Sequence, residues 1–272
     1  MALIQVNYLS KALFRTVTLQ VILPVDRISF ETMDYERHTE KFKTLYLLHG
    51  LLGNYTDWVS GTRIQRWAEE KNLAVVMPSG DNSFYVNSLT VNNDYGKFIG
   101  EELVEVTRRM FPLSEKREDT FIAGLSMGGF GALRNGIKYC DTFGYAVGLS
   151  GALHLFEENA DNVAGEGQVF GDIKEAVQTD KNPKTALRNA LKEGKELPKF
   201  YMACGLQDSL LASNRDFHAF LVENGADVTY VEEQGAHEWD FWDRQIKCVL
   251  DWLPLGDAEG GMNSGNVQKD KE

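Results

Sequence analysis

Ser126, Asp208 and His237 carry the side chains that nucleophilic acyl transfer requires. A serine hydroxyl is a poor nucleophile at neutral pH, so it needs a histidine to take its proton. The histidine in turn needs a carboxylate that fixes its tautomer and stabilises its charged form. The three residues occur in the order serine, acid, histidine, which is one of the orders in which such groups are found. The sequence therefore predicts a catalytic triad.

The residues around Ser126 have the pattern of a sharp turn between a strand and a helix. The segment Gly124-Leu125-Ser126-Met127-Gly128 follows an apolar run at 121–123 and precedes a helical pattern at 131–137. Glycines on both sides of the serine permit a turn that is too tight for side chains. Such a nucleophile elbow would hold the hydroxyl exposed at the end of the strand.

Asp208 and His237 each follow a predicted strand, one ending at Cys204 and the other at Val231. Because the carboxyl ends of parallel strands meet at one edge of a sheet, we expect both side chains at the edge that carries Ser126. Other histidines and carboxylates lie in polar connections, in a predicted lid or within helices and are weaker candidates: His38, His154, His218, Asp172, Asp180, Asp240 and Asp243.

The tetrahedral intermediate of acyl transfer needs two hydrogen-bond donors for its oxyanion. The backbone N–H of Met127, directly after the nucleophile, is one candidate. The loop after the apolar strand 45–48 supplies the other, and Leu51, which follows His49 and Gly50, is the natural candidate. We expect His49 to shape this loop and not to transfer protons.

Four aromatic residues lie in or beside the same predicted loops: Trp58, Phe84, Tyr85 and Trp239. Each could line an acyl or aromatic pocket, and each could equally belong to the core or the surface. As a group they predict that at least one aromatic ring lines a substrate-binding site.

Short apolar runs alternate with helical patterns along most of the chain. Predicted strands cover residues 16–23, 45–48, 73–77, 121–123, 145–150, 199–204 and 228–231, and predicted helices cover 64–68, 98–111, 131–137, 217–223 and 242–253. This alternation indicates an α/β fold with a mostly parallel central sheet and helices on both faces. No linker divides residues 1–255, which we predict to form one catalytic domain.

Two segments depart from this alternation. Residues 152–198 are rich in charged residues, asparagine and glycine, and an insertion of this length between strands is most often a lid over the site. Residues 256–272 contain glycine and charge but almost no apolar side chains, so we predict a disordered tail.

Composition limits the classes of partner. The formal net charge is −12, which opposes binding to nucleic acid or to anionic lipid. No apolar run approaches the roughly 18 residues of a membrane span, and no secretory signal is recognisable, so a cytoplasmic location is expected. Three widely spaced cysteines without metal-ligand spacing indicate reduced thiols, with neither a disulfide frame nor a metal site.

Four segments, in this order, resemble the esterase D-like branch of the α/β-hydrolases, and most closely the bacterial tributyrin esterases. They are His49-Gly50-Leu51-Leu52-Gly53-Asn54, Gly124-Leu125-Ser126-Met127-Gly128-Gly129, Gly205-Leu206-Gln207-Asp208 and Gly235-Ala236-His237-Glu238-Trp239. The resemblance implies a serine carboxylesterase for short-chain acyl esters that needs no cofactor. It also implies Ser126, Asp208 and His237 as the triad and Leu51 and Met127 as the oxyanion donors.

The same branch leaves alternatives open. Some members are acetyl or feruloyl esterases that act on plant cell-wall sugars, and trimmed, imported oligosaccharides are possible substrates of this chain. Formylglutathione hydrolases usually carry a different segment at residues 49–54, which makes a glutathione thioester a less favoured substrate. A non-catalytic binding protein on the same fold is the alternative of another class. Self-association into a homo-oligomer through the lid or an edge strand is also open.

Overall fold

The computed structural model describes residues 1–35, 40–156, 169–256, 261–263 and 266–268. The strands are β1 (Ala2–Ser10), β2 (Arg15–Leu23), β3 (Thr44–Leu48), β4 (Ala74–Pro78), β5 (Thr120–Leu125), β6 (Tyr145–Leu149), β7 (Lys199–Gly205), β8 (Val228–Glu233), β9 (Gly261–Asn263) and β10 (Asn266–Gln268).

The α-helices are α1 (Asp57–Gly61), α2 (Ile64–Glu70), α3 (Tyr95–Lys97), α4 (Leu103–Met110), α5 (Met127–Lys138), α6 (Ile173–Ala176), α7 (Pro183–Lys192), α8 (Leu211–Glu223) and α9 (Trp239–Trp252). A π-helical turn at Phe98–Glu102 joins α3 to α4, and 3₁₀ turns lie at Arg117–Asp119 and Leu153–Phe156.

Eight strands form one sheet in the order β1-β2-β4-β3-β5-β6-β7-β8. The six strands β3 to β8 are parallel to one another. β1 and β2 form an antiparallel hairpin, and β2 joins this hairpin to the sheet by pairing antiparallel with β4. The predicted mostly parallel sheet is therefore confirmed. The edge strand β1 was not predicted from the sequence.

The central strands are buried on both faces because helices cover each side of the sheet. In β3, Leu45 and Leu47 pack into the core beneath α2 and α9, whereas Tyr46 and Leu48 pack into the opposite core beneath α4, α5, α7 and α8. A strand buried on both faces has an uninterrupted apolar sequence, which is why β3 was recognisable. The prediction of helices on both faces is confirmed.

The predicted lid at 152–198 has a different organisation from the one expected. Its last part is α7, which packs against α5 and buries Ala186, Leu187 and Ala190 in the main core. This helix makes the crossover that two neighbouring parallel strands, β6 and β7, require. Only the part before α7 is available to border the site, and 157–168 lie outside the described residues.

The tail at 256–272 also differs from the prediction where it is described. β9 and β10 pair as a short antiparallel ladder, and the backbone of Met262 exchanges two hydrogen bonds of 2.9 Å with that of Ile28. Backbone pairing of this kind needs no apolar side chains, so the composition of the tail did not reveal it. The other tail residues after 256 lie outside the described part of the chain.

No helix within the described ranges is both long and apolar enough to cross a lipid bilayer.

Candidate active site

The loops that leave the carboxyl ends of the central strands gather the candidate residues at one edge of the sheet. In spatial order, β4 is followed by the loop at 79–86, β3 by His49, Gly50 and Leu51, β5 by Ser126, β6 by Ser150, β7 by Asp208 and β8 by His237. Neighbouring strands lie about 4.8 Å apart, so these six loops form one continuous surface.

Ser126 stands at the corner between β5 and α5 with φ of 53° and ψ of −118°. This left-handed conformation is strained for a residue with a side chain. A Cβ on Gly124 would lie 2.2 Å from the Gly128 carbonyl oxygen, and one on Gly128 would lie 2.4 Å from the Leu48 carbonyl oxygen. The turn therefore requires both glycines, and it is the sharp strand-to-helix turn that the sequence indicated.

Ser126, His237 and Asp208 form a continuous chain of hydrogen bonds. The distance from His237 Nε2 to Ser126 Oγ is 3.0 Å, and that from His237 Nδ1 to Asp208 Oδ2 is 2.9 Å. An ionised carboxylate can only accept, so the proton of the neutral imidazole lies on Nδ1. The lone pair of Nε2 is then free to accept the proton of the serine hydroxyl.

Asp208 and His237 meet because the loops after β7 and β8 approach each other closely. A Cβ on Gly205 would lie 2.2 Å from the carbonyl oxygen of Gly235, whose own φ is +154°. The two glycines therefore allow a contact between the backbones that no other residue would permit. This contact brings an acid and a base together although they are separated by a whole helix, α8.

The Asp208 carboxylate is fully enclosed and accepts hydrogen bonds from His237 and Leu210. Burial is the largest influence and would raise its pKa. The bonds from His237 Nδ1 and from the Leu210 N–H at 2.9 Å, together with the attraction of the imidazole, outweigh burial, so that the pKa of Asp208 lies below its usual value. The carboxylate is therefore ionised at neutral pH and can stabilise a positive charge on His237.

The N–H groups of Leu51 and Met127 lie on the two sides of the serine. Neither donates to an acceptor within the described part of the chain. Met127 is the first residue of α5, and the first N–H groups of a helix have no partner inside the helix. Both N–H groups are thus free to bind an oxyanion.

His49 fixes the loop that carries Leu51. Its Nδ1–H donates to the Gly50 carbonyl at 2.6 Å, and its Nε2 accepts the Gly80 N–H at 2.8 Å. The Tyr85 hydroxyl donates to the His49 carbonyl at 2.9 Å. Burial lowers the pKa of His49, so the ring is neutral and acts as a structural link between the loops after β3 and β4.

The predicted aromatic residues lie differently from the expectation. Trp58, Phe84 and Tyr85 are at most 1% exposed and offer no open ring face to a ligand. Trp58 Nε1 donates to the Leu48 carbonyl at 2.9 Å, and the Phe84 ring packs against Phe130, so these rings support the loops from behind.

Trp239 is the one of the four that is partly exposed. Its ring makes edge contacts with Trp58 and with Trp242, at centroid distances of 5.8 Å and 5.3 Å. Trp242 in turn contacts the His237 ring. Trp239 therefore remains a candidate substrate-binding residue, whereas the other three predicted rings act as supports.

The weaker candidates lie away from the hydrogen-bond chain. His218 stacks on Tyr230, Asp180 pairs with Arg134, and Asp243 pairs with Arg63. Asp172 caps α6, whereas His38 lies outside the described residues.

Three residues that the sequence analysis did not single out contact the candidate site. The Trp242 ring contacts the His237 ring and its Nε1 donates to Ser150 Oγ, and the Asn82 side-chain oxygen accepts the Leu52 N–H at 2.8 Å. Ser150 directly follows β6, so the strand-end rule that selected Asp208 could have selected it too. No sequence signal distinguishes Trp242 from the other tryptophans.

A polar cleft adjoins the loop that carries Leu51. Its volume is about 390 Å³, and it is lined by Asp81, Asn82, Ser83, Ser88, Leu89, Thr90, Asn93, Tyr95 and Val169. Hydroxyl, amide and carboxyl groups predominate among these side chains, and Asn82 connects the cleft to Leu52. In the described ranges, no group of three or more histidines, cysteines and carboxylates could hold a metal ion.

Comparisons with known proteins agree on one class. The model of a family described as putative esterase matches residues 10–253. An acetyl esterase from Caldicellulosiruptor saccharolyticus is 42% identical over 262 residues, which cover 93% of this chain and 98% of the relative.

Two solved structures from Staphylococcus aureus are each 34% identical and cover 93% of this chain and 98% of their own. The fluorophosphonate-binding serine hydrolase F has a TM-score of 0.81, and an S-formylglutathione hydrolase has a TM-score of 0.80. The chain is thus similar to serine hydrolases over nearly its whole length.

Proposed function

The chain belongs to the putative esterase family and is a carboxylic ester hydrolase, and from that premise we propose that it cleaves short-chain acyl esters through Ser126, His237 and Asp208. The observation that carries the proposal is the unbroken hydrogen-bond chain from Ser126 Oγ through His237 to Asp208. The acetyl esterase at 42% identity supports a short acyl group. Family membership opposes the non-catalytic alternative.

In the proposed reaction, Ser126 Oγ attacks the ester carbonyl carbon while His237 Nε2 takes its proton. The C–O bond to the alcohol then breaks, and His237 returns the proton to the leaving oxygen. Water attacks the acyl-enzyme in the same way, so that the acid is released and Ser126 regains its proton. Asp208 keeps the imidazole oriented and stabilises its charged form during both steps.

The negative charge that develops on the carbonyl oxygen would lie between the N–H groups of Leu51 and Met127. Both groups lack an acceptor within the described ranges, and each is held by rigid elements: Met127 by the first turn of α5, Leu51 by His49. Donors fixed before the reaction stabilise the transition state more than the substrate, because they need no reorganisation.

Hydrolysis of p-nitrophenyl esters from acetate to laurate tests the proposal. We expect the highest kcat/KM between acetate and butyrate and a loss of roughly 10⁴-fold or more in Ser126→Ala. Ser114→Ala is the matched control, because its buried hydroxyl bonds Asp119 far from the site. Substantial activity in Ser126→Ala would refute the mechanism, and a preference for laurate would refute the short acyl group.

The polar cleft favours a second candidate, an acetyl or feruloyl esterase acting on sugar esters. Within the described ranges, Asn82 Nδ2, Asp81 Oδ1 and Asn93 Oδ1 have no hydrogen-bond partner. Such a set of free donors and acceptors suits the hydroxyl groups of a sugar. The cleft follows β4, two strands from Ser126, so its distance is of the order of 10 Å, within reach of an oligosaccharide ester.

Acetylated xylo-oligosaccharides, methyl ferulate and p-nitrophenyl acetate distinguish the two candidates. If the cleft binds sugar, Asn93→Ala should lower kcat/KM for the acetylated sugar about fivefold and leave p-nitrophenyl acetate unchanged. Asn189→Ala, an exposed position on α7, is the control. Equal rates in Asn93→Ala and the wild type on all three esters would refute the hypothesis that the cleft binds the sugar of the substrate. S-formylglutathione belongs in the same assay, because a 34% identical structure carries that name.

A further inference from the structure

The strand β1 forms one edge of the eight-stranded sheet and pairs with β2 along one side only. All nine of its residues have a partner in β2, so the ladder is regular. In an antiparallel ladder, every second residue directs its N–H and C=O away from the neighbouring strand. Within the described ranges, no backbone group bonds to that outer side of β1. β1 therefore presents an unpaired strand edge that is nine residues long.

The two edges of the sheet differ in charge. β8, the other edge, has six residues and ends in Glu232 and Glu233, each of which pairs with an arginine. Charged side chains on an edge strand oppose its pairing with another chain. β1 carries no charged side chain in its nine residues, although the formal net charge of the chain is −12. The protection that β8 has is thus missing from β1.

The β1–β2 hairpin is held in place by its own chain. The Glu102 carboxylate accepts the N–H groups of Lys11 and Ala12 at 3.0 Å and 2.7 Å, which anchors the end of the hairpin. Inward side chains such as Ile4 and Val6 pack against the main core. A strand that is already ordered loses little conformational entropy when it pairs. The free edge of β1 is therefore preformed for a further strand.

The sequence of β1 is nearly palindromic around Val6. Two copies of the strand that pair antiparallel with Val6 at the centre bring side chains of similar kind opposite each other. The pairs are Val6 with Val6, Gln5 with Asn7, Ile4 with Tyr8, Leu3 with Leu9 and Ala2 with Ser10. Side chains directly opposite each other in an antiparallel pair lie on the same face and are in contact. The strand that complements this edge is therefore the same strand of a second copy.

Both faces of such a pairing are matched. On the outer face, Leu3 and Leu9, which are 42% and 72% exposed, would shield each other from water. The exposed amides of Gln5 and Asn7 can donate to and accept from each other. On the inner face, the half-buried side chains that pack on the core of each copy would meet in the same way.

The charges at the ends of the strand are complementary in the same register. Lys11 is exposed and forms no ion pair within the described part of the chain. It would lie opposite Met1 of the second copy. Met1 is buried, whereas the Asp26 carboxylate, 2.7 Å from the Met1 amino nitrogen, is 43% exposed. The exposed charge that each lysine would meet is therefore negative.

We propose that β1 pairs antiparallel with β1 of a second copy about a two-fold axis at Val6, which joins the two sheets into one of sixteen strands. Both copies use the same edge, so the assembly closes at two chains. The edges that remain are the two charged β8 strands. The pairing leaves the catalytic edge untouched, because β1 lies four strands from β5, a distance of about 19 Å.

Sedimentation equilibrium of the wild type is the first test. At micromolar concentrations we expect a molar mass of twice the chain mass of 30.6 kDa. A mass of one chain throughout would overturn the proposal, and the edge would then be left to a strand from another protein. The measurement needs no substrate, so its outcome is independent of the proposed function.

Two double variants test the register. In the proposed pairing, position 5 of one copy lies opposite position 7 of the other. Gln5→Lys with Asn7→Lys therefore places like charges in both pairs, whereas Gln5→Lys with Asn7→Glu places opposite charges there. We expect the dissociation constant of the dimer to rise at least about tenfold in the first variant and to stay within about threefold of the wild type in the second. Both positions are exposed, so the fold of each chain should be retained.

Gln178→Lys with Asn189→Lys is the matched control, because it makes the same substitutions at exposed positions away from β1. It should leave the dimer intact. A dimer that persists in Gln5→Lys with Asn7→Lys would place the contact on another surface, and loss of the dimer in both β1 variants would contradict the register. Either result would overturn the proposal. Circular dichroism and thermal melts of each variant separate loss of fold from loss of pairing.

Discussion

The two sides of Ser126 are built on different physical principles. On the β3–β4 side, the Leu51 loop is held by neutral, buried groups: His49, Tyr85 and the backbone of Gly50 and Gly80. On the β6–β8 side, Asp208 and His237 form a pair that carries charge, and the His237 side chain is 34% exposed. In the proposed mechanism, the first side supplies fixed dipoles, whereas the second exchanges protons.

This difference separates rigidity from reactivity. Fixed donors must not titrate, so burial that suppresses the charge of His49 is useful on the β3–β4 side. The base of the proposed mechanism must reach the substrate, which agrees with a partly exposed His237 beside an enclosed carboxylate. Changes on the β6–β8 side should therefore alter the rate and its pH dependence, whereas changes on the β3–β4 side should alter the rate and the stability.

Asp208→Asn, on the β6–β8 side, should cause the largest loss of kcat among the variants that test this difference. Asparagine is nearly isosteric with aspartate, but its amide can donate to Nδ1 and favour the wrong tautomer of His237. We expect kcat to fall by roughly 10³- to 10⁴-fold with the fold retained. Steady-state kinetics with p-nitrophenyl acetate and a thermal melt measure the two quantities.

The control for this prediction is Asp216→Asn, which removes a carboxylate from a surface pair with Lys184. It should leave kcat unchanged. A loss of less than tenfold in Asp208→Asn would mean that the carboxylate has no essential role, and the distinction between the two sides would lose its basis.

The sequence was sufficient to place the residues that directly follow strand ends at one edge of the sheet. Ser126, Asp208 and His237 each follow a recognisable apolar strand, and a parallel sheet brings such positions to one edge. The sequence was not sufficient for β1, because its inward residues Ile4 and Val6 alternate with outward residues that include Leu3. Apolar residues on both faces obscure the period of two on which strand recognition depends.

The aromatic residues could not be placed from the sequence. Phe84 and Tyr85 follow a strand end just as Asp208 does, but both have a positive φ and pack inward. The direction of a ring in a loop depends on the backbone conformation and on contacts with distant segments. In the same way, Trp242 reaches Ser150 across 92 positions of the chain, which no local pattern encodes.

Tyr85→Phe lies on the β3–β4 side and should cause an intermediate loss of kcat. It removes the hydrogen bond to the His49 carbonyl and leaves a buried acceptor unpaired, which costs about 1–3 kcal/mol of stability. Because the Leu51 loop is then less rigid, we expect kcat to fall about tenfold. The acid limb of the pH–rate profile should not move.

Tyr46→Phe is a matched control for this loss. Tyr46 is also fully buried, and its hydroxyl bonds Thr107 on the other side of the core from the loops. We expect a similar loss of stability with no change in kcat. If the two variants lower kcat equally, loss of stability explains the effect and Tyr85 has no specific role in the loop.

His49→Gln should have the smallest effect of these variants. It tests whether burial keeps the His49 ring uncharged on the β3–β4 side. The pKa of His49 is lowered by burial from the usual histidine value of 6.5, so between these two pKa values the unfolded chain binds a proton that the native protein does not. His49 therefore weakens the fold progressively as the pH falls below about 6.5, and this penalty is absent at higher pH. Glutamine can retain hydrogen bonds but cannot titrate.

We therefore expect the unfolding free energy of the wild type to fall more steeply than that of His49→Gln as the pH is lowered from 6.5 to 5. The difference in slope should be at most about one proton, and it is measured by urea denaturation across this range. Asp208 acts in the same direction but at lower pH, because its lowered pKa gives stability that is lost only as the pH falls below the usual value of 3.8. Parallel slopes above pH 5 would mean that His49 titrates alike in the folded and unfolded chains. Burial would then not be what keeps the charge of His49 out of the β3–β4 side.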